Sequence, residues 1–127
     1  MKRPAARPPA PGRLAAEQRG RQGERLAGWW LRLKGWSIVG RRVRTPAGEI
    51  DLIARRGAMV AFVEVKSRKT GQALDEAIDE RRLSRVAAAA ESVAAVYMKP
   101  GDDMRIDVIL LAPGRAPRHL ENVWHGG

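Results

Sequence analysis

Two apolar runs in the middle of the chain carry charge where a buried strand has little room for it. One is Gly48-Glu49-Ile50-Asp51-Leu52-Ile53 and the other is Phe62-Val63-Glu64-Val65-Lys66-Ser67-Arg68. Residues two apart on a strand share a face. Ile50 and Leu52 then fall on one face, with Glu49, Asp51 and Ile53 on the other. Glu64 and Lys66 share a face of the second run. Arg56-Gly57 between the runs is turn chemistry, so the two form a hairpin. In matched register, three carboxylates and one ammonium converge on a single patch. Burying carboxylates there is costly unless they are paired or hold a cation. Two readings follow. One is a hard divalent cation, Mg²⁺ or Mn²⁺, on the acids, with the lysine beside a scissile phosphate. The other is a cross-strand salt bridge from Lys66 to Glu49 or Asp51 on a solvated sheet face.

The flanking sequence supplies the rest of a sheet and two helices. Residues 14 to 34 have helical spacing, with Leu14, Ala27, Trp30 and Leu31 on one side and Gly35 as a stop. Trp36 to Arg44 reads as a strand, which places Arg42 and Arg44 together, away from Arg41. Thr45-Pro46-Ala47-Gly48 is a turn. Leu74 to Met98 is a long helix with a stripe of Leu83, Val86, Ala90, Val93 and Tyr97. Asp75, Glu76, Asp79 and Glu80 occupy its first turns, where the helix dipole favours negative charge. Met104 to Leu111 alternates as another strand, and His119 to Trp124 as a short last one. The order predicts an α/β fold with a central mixed sheet flanked by helices, one domain over residues 14 to 124 and a flexible tail at 125 to 127. Trp30 belongs to the core and Trp29 to its rim. His119 and His125 read as surface or frayed-tail positions rather than a metal pair, and Asp107 as the partner of an arginine.

Charge narrows the function. There are 24 Lys and Arg against 14 Asp and Glu, a net charge of +10, and no cysteine. A disulfide scaffold, a zinc finger and a thiol enzyme are excluded. Residues 1 to 13 hold four of the eight prolines and no acid, and read as a disordered basic arm. They lack the apolar segment of a secretory signal, and no stretch of about 18 apolar residues exists to span a membrane. The expected location is cytoplasmic, with no membrane partner. Residues 36 to 69 carry eight bases around three acids. A basic surround with a small acidic centre suits a nucleic-acid partner held at its phosphates. Arg42, Arg44, Arg55, Arg68 and Lys69 are the candidate phosphate contacts.

The GEIDLI and FVEVK phrases at this separation resemble the YraN-type bacterial family. That family is similar to archaeal Holliday-junction resolvases and to the PD-(D/E)xK nucleases. Upstream, Gly20, Glu24, Ala27, Leu31 and Gly35 match its first helix. Downstream, Gly71, Ala73, Ala77-Ile78 and Arg105-Ile106-Asp107-Val108 match as well. The resemblance implies a restriction endonuclease-like fold and a metal-dependent nuclease that hydrolyses DNA phosphodiesters, at branched or flapped structures. It implies metal binding by Asp51 and Glu64, with Glu24 completing the set, and Lys66 as the catalytic lysine. Glu49 matches a family acid that either supports the ligands or holds an arginine such as Arg44. Arg82 stands where the family has a lysine and can clamp phosphate. The motif before GEID keeps only its arginine, since Arg42-Val43-Arg44 replaces Asn-aromatic-Arg. Resolvase-like relatives act as homodimers. The alternative function is a nucleic-acid-binding accessory protein that keeps the fold without useful catalysis.

Overall fold

A computed structural model describes the backbone of residues 11–68 and 79–124, with side chains from residue 20 onward. Helix α1 (Pro11–Leu33) is followed by strands β1 (Ser37–Thr45), β2 (Gly48–Arg56) and β3 (Met59–Ser67). Helix α2 (Glu80–Tyr97), strand β4 (Asp103–Leu111) and strand β5 (Arg118–Leu120) complete the elements of the described residues. The five strands lie side by side in chain order. All neighbours are antiparallel except β3 and β4, which run parallel because α2 carries the chain between them. This is the α/β arrangement expected, a mixed sheet flanked by two helices, consistent with a restriction endonuclease-like fold. No helix among the described residues is long and apolar enough to cross a membrane.

Each sheet face buries its own core. Ile50, Ile53, Phe62, Val108 and Leu110 pack against Leu83, Val86, Ala87 and Ala90 of α2. Leu52, Ala54, Val63, Ile109 and Leu111 pack on the other face with Ala27 and Leu31 of α1. Because β2, β3 and β4 are covered on both faces, they read as nearly continuous apolar runs. Trp36 joins the α1 core, 2% exposed, with the guanidiniums of Arg56 and Arg105 at 4.5 and 4.9 Å from its ring centroid. Trp29 is 63% exposed, the rim position expected of it, whereas Trp30 is only half-buried and belongs to neither core, against the core position expected.

Helix boundaries differ from the periodic reading. The backbone of α1 starts at Pro11, inside the segment read as an arm, and proline is tolerated in a first helical turn because it has no N–H to satisfy. Residues 1 to 10 lie outside the described part, as do His125 and the tail. Helix α2 starts at Glu80, because Asp79 is its N-cap and accepts from the Arg81 backbone N–H at 2.9 Å. The first turns expected at 74 to 78 lie outside the described residues. The far histidine is also a correction. His119 is a buried partner rather than a surface group, its side chain 2% exposed. Lys34 Nζ donates to its Nδ1 at 2.9 Å, which leaves Nε2–H to donate to Asp107 at 2.7 Å. Asp107, fully buried, also pairs with Arg105 at 3.1 Å, the arginine partner expected, and accepts from Asn122 N. Burial alone would raise its carboxyl, but the His119 and Asn122 hydrogen bonds and Arg105 hold it below the usual range.

Candidate metal and phosphate site

The acids sit where the hairpin ladder stops. Cα pairing between β2 and β3 runs from Arg56–Met59 to Leu52–Val63 and goes no further. Beyond it the Asp51 side chain takes over from the backbone, and its Oδ2 accepts from Val65 N at 2.8 Å. Side-chain alternation breaks at the same point. Ile50 packs toward α2 while Leu52 packs toward α1, so the two do not share a face. Across the β1–β2 ladder, the position facing Asp51 is Arg42, which takes φ 48°, a left-handed backbone unusual for a non-glycine residue. The matched irregularity re-aims both side chains. Arg42 and Arg41 both reach α1, the first at Glu24 and the second against Gly28, so the expected separation of Arg41 from Arg42 does not hold.

Three carboxylates gather on the α1 side. One oxygen each from Glu24, Glu49 and Asp51 lies within 4.8 Å of the others. Glu24 comes from the helix, and Glu49 and Asp51 come from β2, sharing a side as their spacing predicted. Glu64 and Lys66 reach the other side. Lys66 Nζ and Arg82 Nε both contact Glu64 Oε1 at 2.9 Å, and Arg82 comes from α2. Glu64 and Lys66 are buried at 6% and 5% exposure. The expected patch is therefore two adjoining halves, with Asp51 feeling both. Burial first, then the Glu64 charge, push the Asp51 carboxyl up to about 7, and Glu24 adds to this. The Val65 N–H and Lys66 pull the other way. Burial lowers Lys66 from its ordinary value, against the opposing pull of Glu64.

The basic residues divide. Arg42 donates to Glu24 at 2.6 Å, which raises its own pKa, and Arg44 lies 3.7 Å from Glu49. Both rim the acids. The Arg44 contact is the arginine pairing expected of Glu49. Arg82 is spent through Nε on Glu64, so its guanidinium is a partner of the site before it is a phosphate clamp. Arg68 follows Lys66 at the end of β3 and donates to the Ser67 carbonyl at 2.9 Å. Arg55 is not brought to the site. It lies at the hairpin end of β2, where it binds Asp102 at 2.6 Å and the Tyr97 carbonyl at 2.9 Å. That carbonyl closes α2, so Arg55 ties a helix end to a loop, and it holds Asp102 at about 2. Lys69 lies outside the described residues. The resemblance gave Glu49 only as a support, whereas it is one of the three gathered carboxylates, on the side it shares with Asp51 by spacing. The break in alternation that brings it there had no signal in an apolar run.

Residues 23–111 match the model of the uncharacterised protein family UPF0102. The chain belongs to this family. A UPF0102 protein from Erythrobacter litoralis is 66% identical over 112 residues, covering 88% of this chain and 97% of that protein. One from Sphingopyxis alaskensis is 63% identical with the same coverage. One from Parvibaculum lavamentivorans is 49% identical over 117 residues, covering 91% and 87%. The UPF0102 match spans Glu24, the GEIDLI and FVEVK runs, Arg82 and Asp107.

Proposed function

We propose that this chain is a metal-dependent nuclease that hydrolyses DNA phosphodiesters, with branched or flapped DNA as substrate. The observation that carries this reading is the gathering of Glu24, Glu49 and Asp51 beside the buried Glu64–Lys66 pair, inside a chain of net charge +10. An all-oxygen donor set with like charges crowded together fits a hard cation such as Mg²⁺ or Mn²⁺. Asp51, Glu24 and Glu49 would hold it, with Glu64 adjoining. When bound, the ion would supply Lewis-acid polarisation of the scissile phosphate and ease deprotonation of a water.

The chain's own groups then have distinct work. Asp51 is fixed by the Val65 N–H and keeps its other oxygen free of that bond. Lys66, buried and held by Glu64, orients the attacking water and stabilises charge developing on phosphate. Arg42 and Arg44 hold flanking phosphates when DNA displaces their carboxylate contacts. Calorimetric titration with Mg²⁺ and Mn²⁺, followed by cleavage assays on linear, flapped and four-way DNA, tests the reading. Asp51→Ala and Lys66→Ala should each lower turnover by about a hundredfold or more while DNA binding persists. Intact substrates and no metal heat would sink it. Light scattering with and without DNA checks the homodimer implied by the resemblance.

One observation favours the accessory reading. Glu64 is already compensated by Lys66 and Arg82, and Glu24 by Arg42, without any cation. In that case DNA binding is unchanged by Asp51→Ala and no turnover exists to lose.

A further inference from the structure

Beside the acids lies a concavity of about 470 Å³ between α1 and the ends of β3 and β4. Ser67 and Leu111 are the last residues of these two parallel strands, and the carboxyl ends of parallel strands are where α/β sheets take ligands. Gly23, Leu26, Arg68 and Arg115 line it with them. Gly23 lets the helix come close, since a Cβ there would stand 2.7 Å from Ser67 Oγ. Among the described residues the lining is largely apolar, and its only charges are the two arginines. Two of its lining residues are next in the chain to residues of the acid site. Gly23 precedes Glu24 on α1, and Ser67 follows Lys66 on β3.

The cavity opens onto an apolar stripe of α1. Leu26 is 53% exposed, Trp29 63% and Leu33 79%, at the three- and four-residue steps of one helix face. Arg21, Arg25 and Arg32 are exposed on the same helix, and the Arg32 guanidinium lies 5.9 Å from the Trp29 ring centroid. A ligand for this surface needs flat apolar groups and repeated negative charge together. A paired duplex offers the charge but hides its base faces. An unpaired strand offers both, with bases stacking on an aromatic side chain and phosphates on arginines.

We propose that the cavity and the exposed face of α1 hold the unpaired strand of a nucleic acid. Leu26 and Leu111 take a base, Trp29 stacks the next, and Arg68 and Arg115 hold phosphate. The proposal rests on the nuclease reading only in making this strand the flap or branch presented to the acids.

The test is done in EDTA, so that no cutting contributes. A labelled oligothymidylate and a blunt duplex of equal length are titrated by anisotropy, with tryptophan emission followed in parallel. Single strand should quench the emission, and Trp29→Phe should remove most of the change. Trp29→Ala and Leu26→Gln should each weaken single-strand binding about tenfold and duplex binding less than about twofold, the scale of one lost stacking contact. Circular dichroism melts confirm that these exposed substitutions leave the fold intact. The proposal is overturned if single-strand affinity is unchanged, or if both ligands weaken equally. A shift of oligomeric state by light scattering with binding unchanged also overturns it and makes the face a self-association surface. A protein that prefers single strands yet never cuts with Mg²⁺ sinks the nuclease reading alone, and one that cuts but shows no preference sinks only this proposal.

Discussion

Asp51 concentrates the chemistry of this chain in one carboxyl. It is half-buried among like charges, and burial and then those charges push its pKa up to about 7, well above an ordinary aspartate. Between the unfolded value and about 7 the folded state binds the extra proton, so stability falls as pH rises through that window. A bound divalent cation reverses the sign, since it needs the deprotonated form. Added Mg²⁺ should therefore raise the melting temperature clearly at pH 8 and hardly at pH 5.5. Asp51→Asn should keep the Val65 hydrogen bond, raise metal-free stability at pH 8 by on the order of 1 kcal/mol or more, and abolish the Mg²⁺ effect, one pKa unit being worth about 1.4 kcal/mol. Differential scanning calorimetry at the two pH values checks all three. An Mg²⁺ shift that survives Asp51→Asn would remove this residue from the ligand set. Little of this was legible from spacing, because a pKa is set by neighbours from α1 and β3 that are distant in the chain.

At the scale of elements, the site depends on how closely α1 lies on β3. Gly23 is the contact point, and its missing side chain is what admits the Ser67 hydroxyl. Alanine in mid-helix normally gains about 1 kcal/mol over glycine. Gly23→Ala should lose that gain to the clash, and adding Ser67→Ala should restore it. A double-mutant cycle by urea unfolding should give a coupling of about 1 kcal/mol. A coupling near zero would mean that the helix simply moves away. The hairpin and the α2 stripe were readable from periodicity, as Leu83, Val86 and Ala90 are buried where the pattern put them. The end of the β2–β3 ladder was not. Ile50 and Leu52 are both apolar and both fully buried, so nothing in their types records that they face opposite cores.

Across the whole molecule, charge is sorted between two poles. The acid site and its arginines occupy one end of β2, and a structural network occupies the β4–β5 edge of the sheet. There Asp107 joins Arg105 and His119, and through His119 reaches Lys34 at the end of α1. Removing the buried carboxylate strands those partners, so Asp107→Ala should cost about 3–5 kcal/mol. Because its carboxyl is held below the usual range, its contribution is present near neutral pH and is lost as pH falls through that lowered value. Thermal melts should show a large loss at pH 7, while any folded fraction keeps its Mg²⁺ and DNA binding. Loss of metal binding in the folded fraction would show that the two poles are coupled.

Residue types and their local order were enough to set the α/β class, the hairpin, the acids on it and the basic surround. Period-2 and helical patterns are local properties, and net charge needs no structure. Tertiary packing alone decided which carboxylates meet. Glu24 arrives from a helix 25 residues before Glu49, and Arg82 from another helix, to complete opposite halves of one site. A break in strand alternation, supported by Arg42 at positive φ and by one side-chain hydrogen bond to Val65, turns Asp51 between them. Those choices follow from burial and like-charge repulsion in three dimensions, which a one-dimensional pattern does not contain.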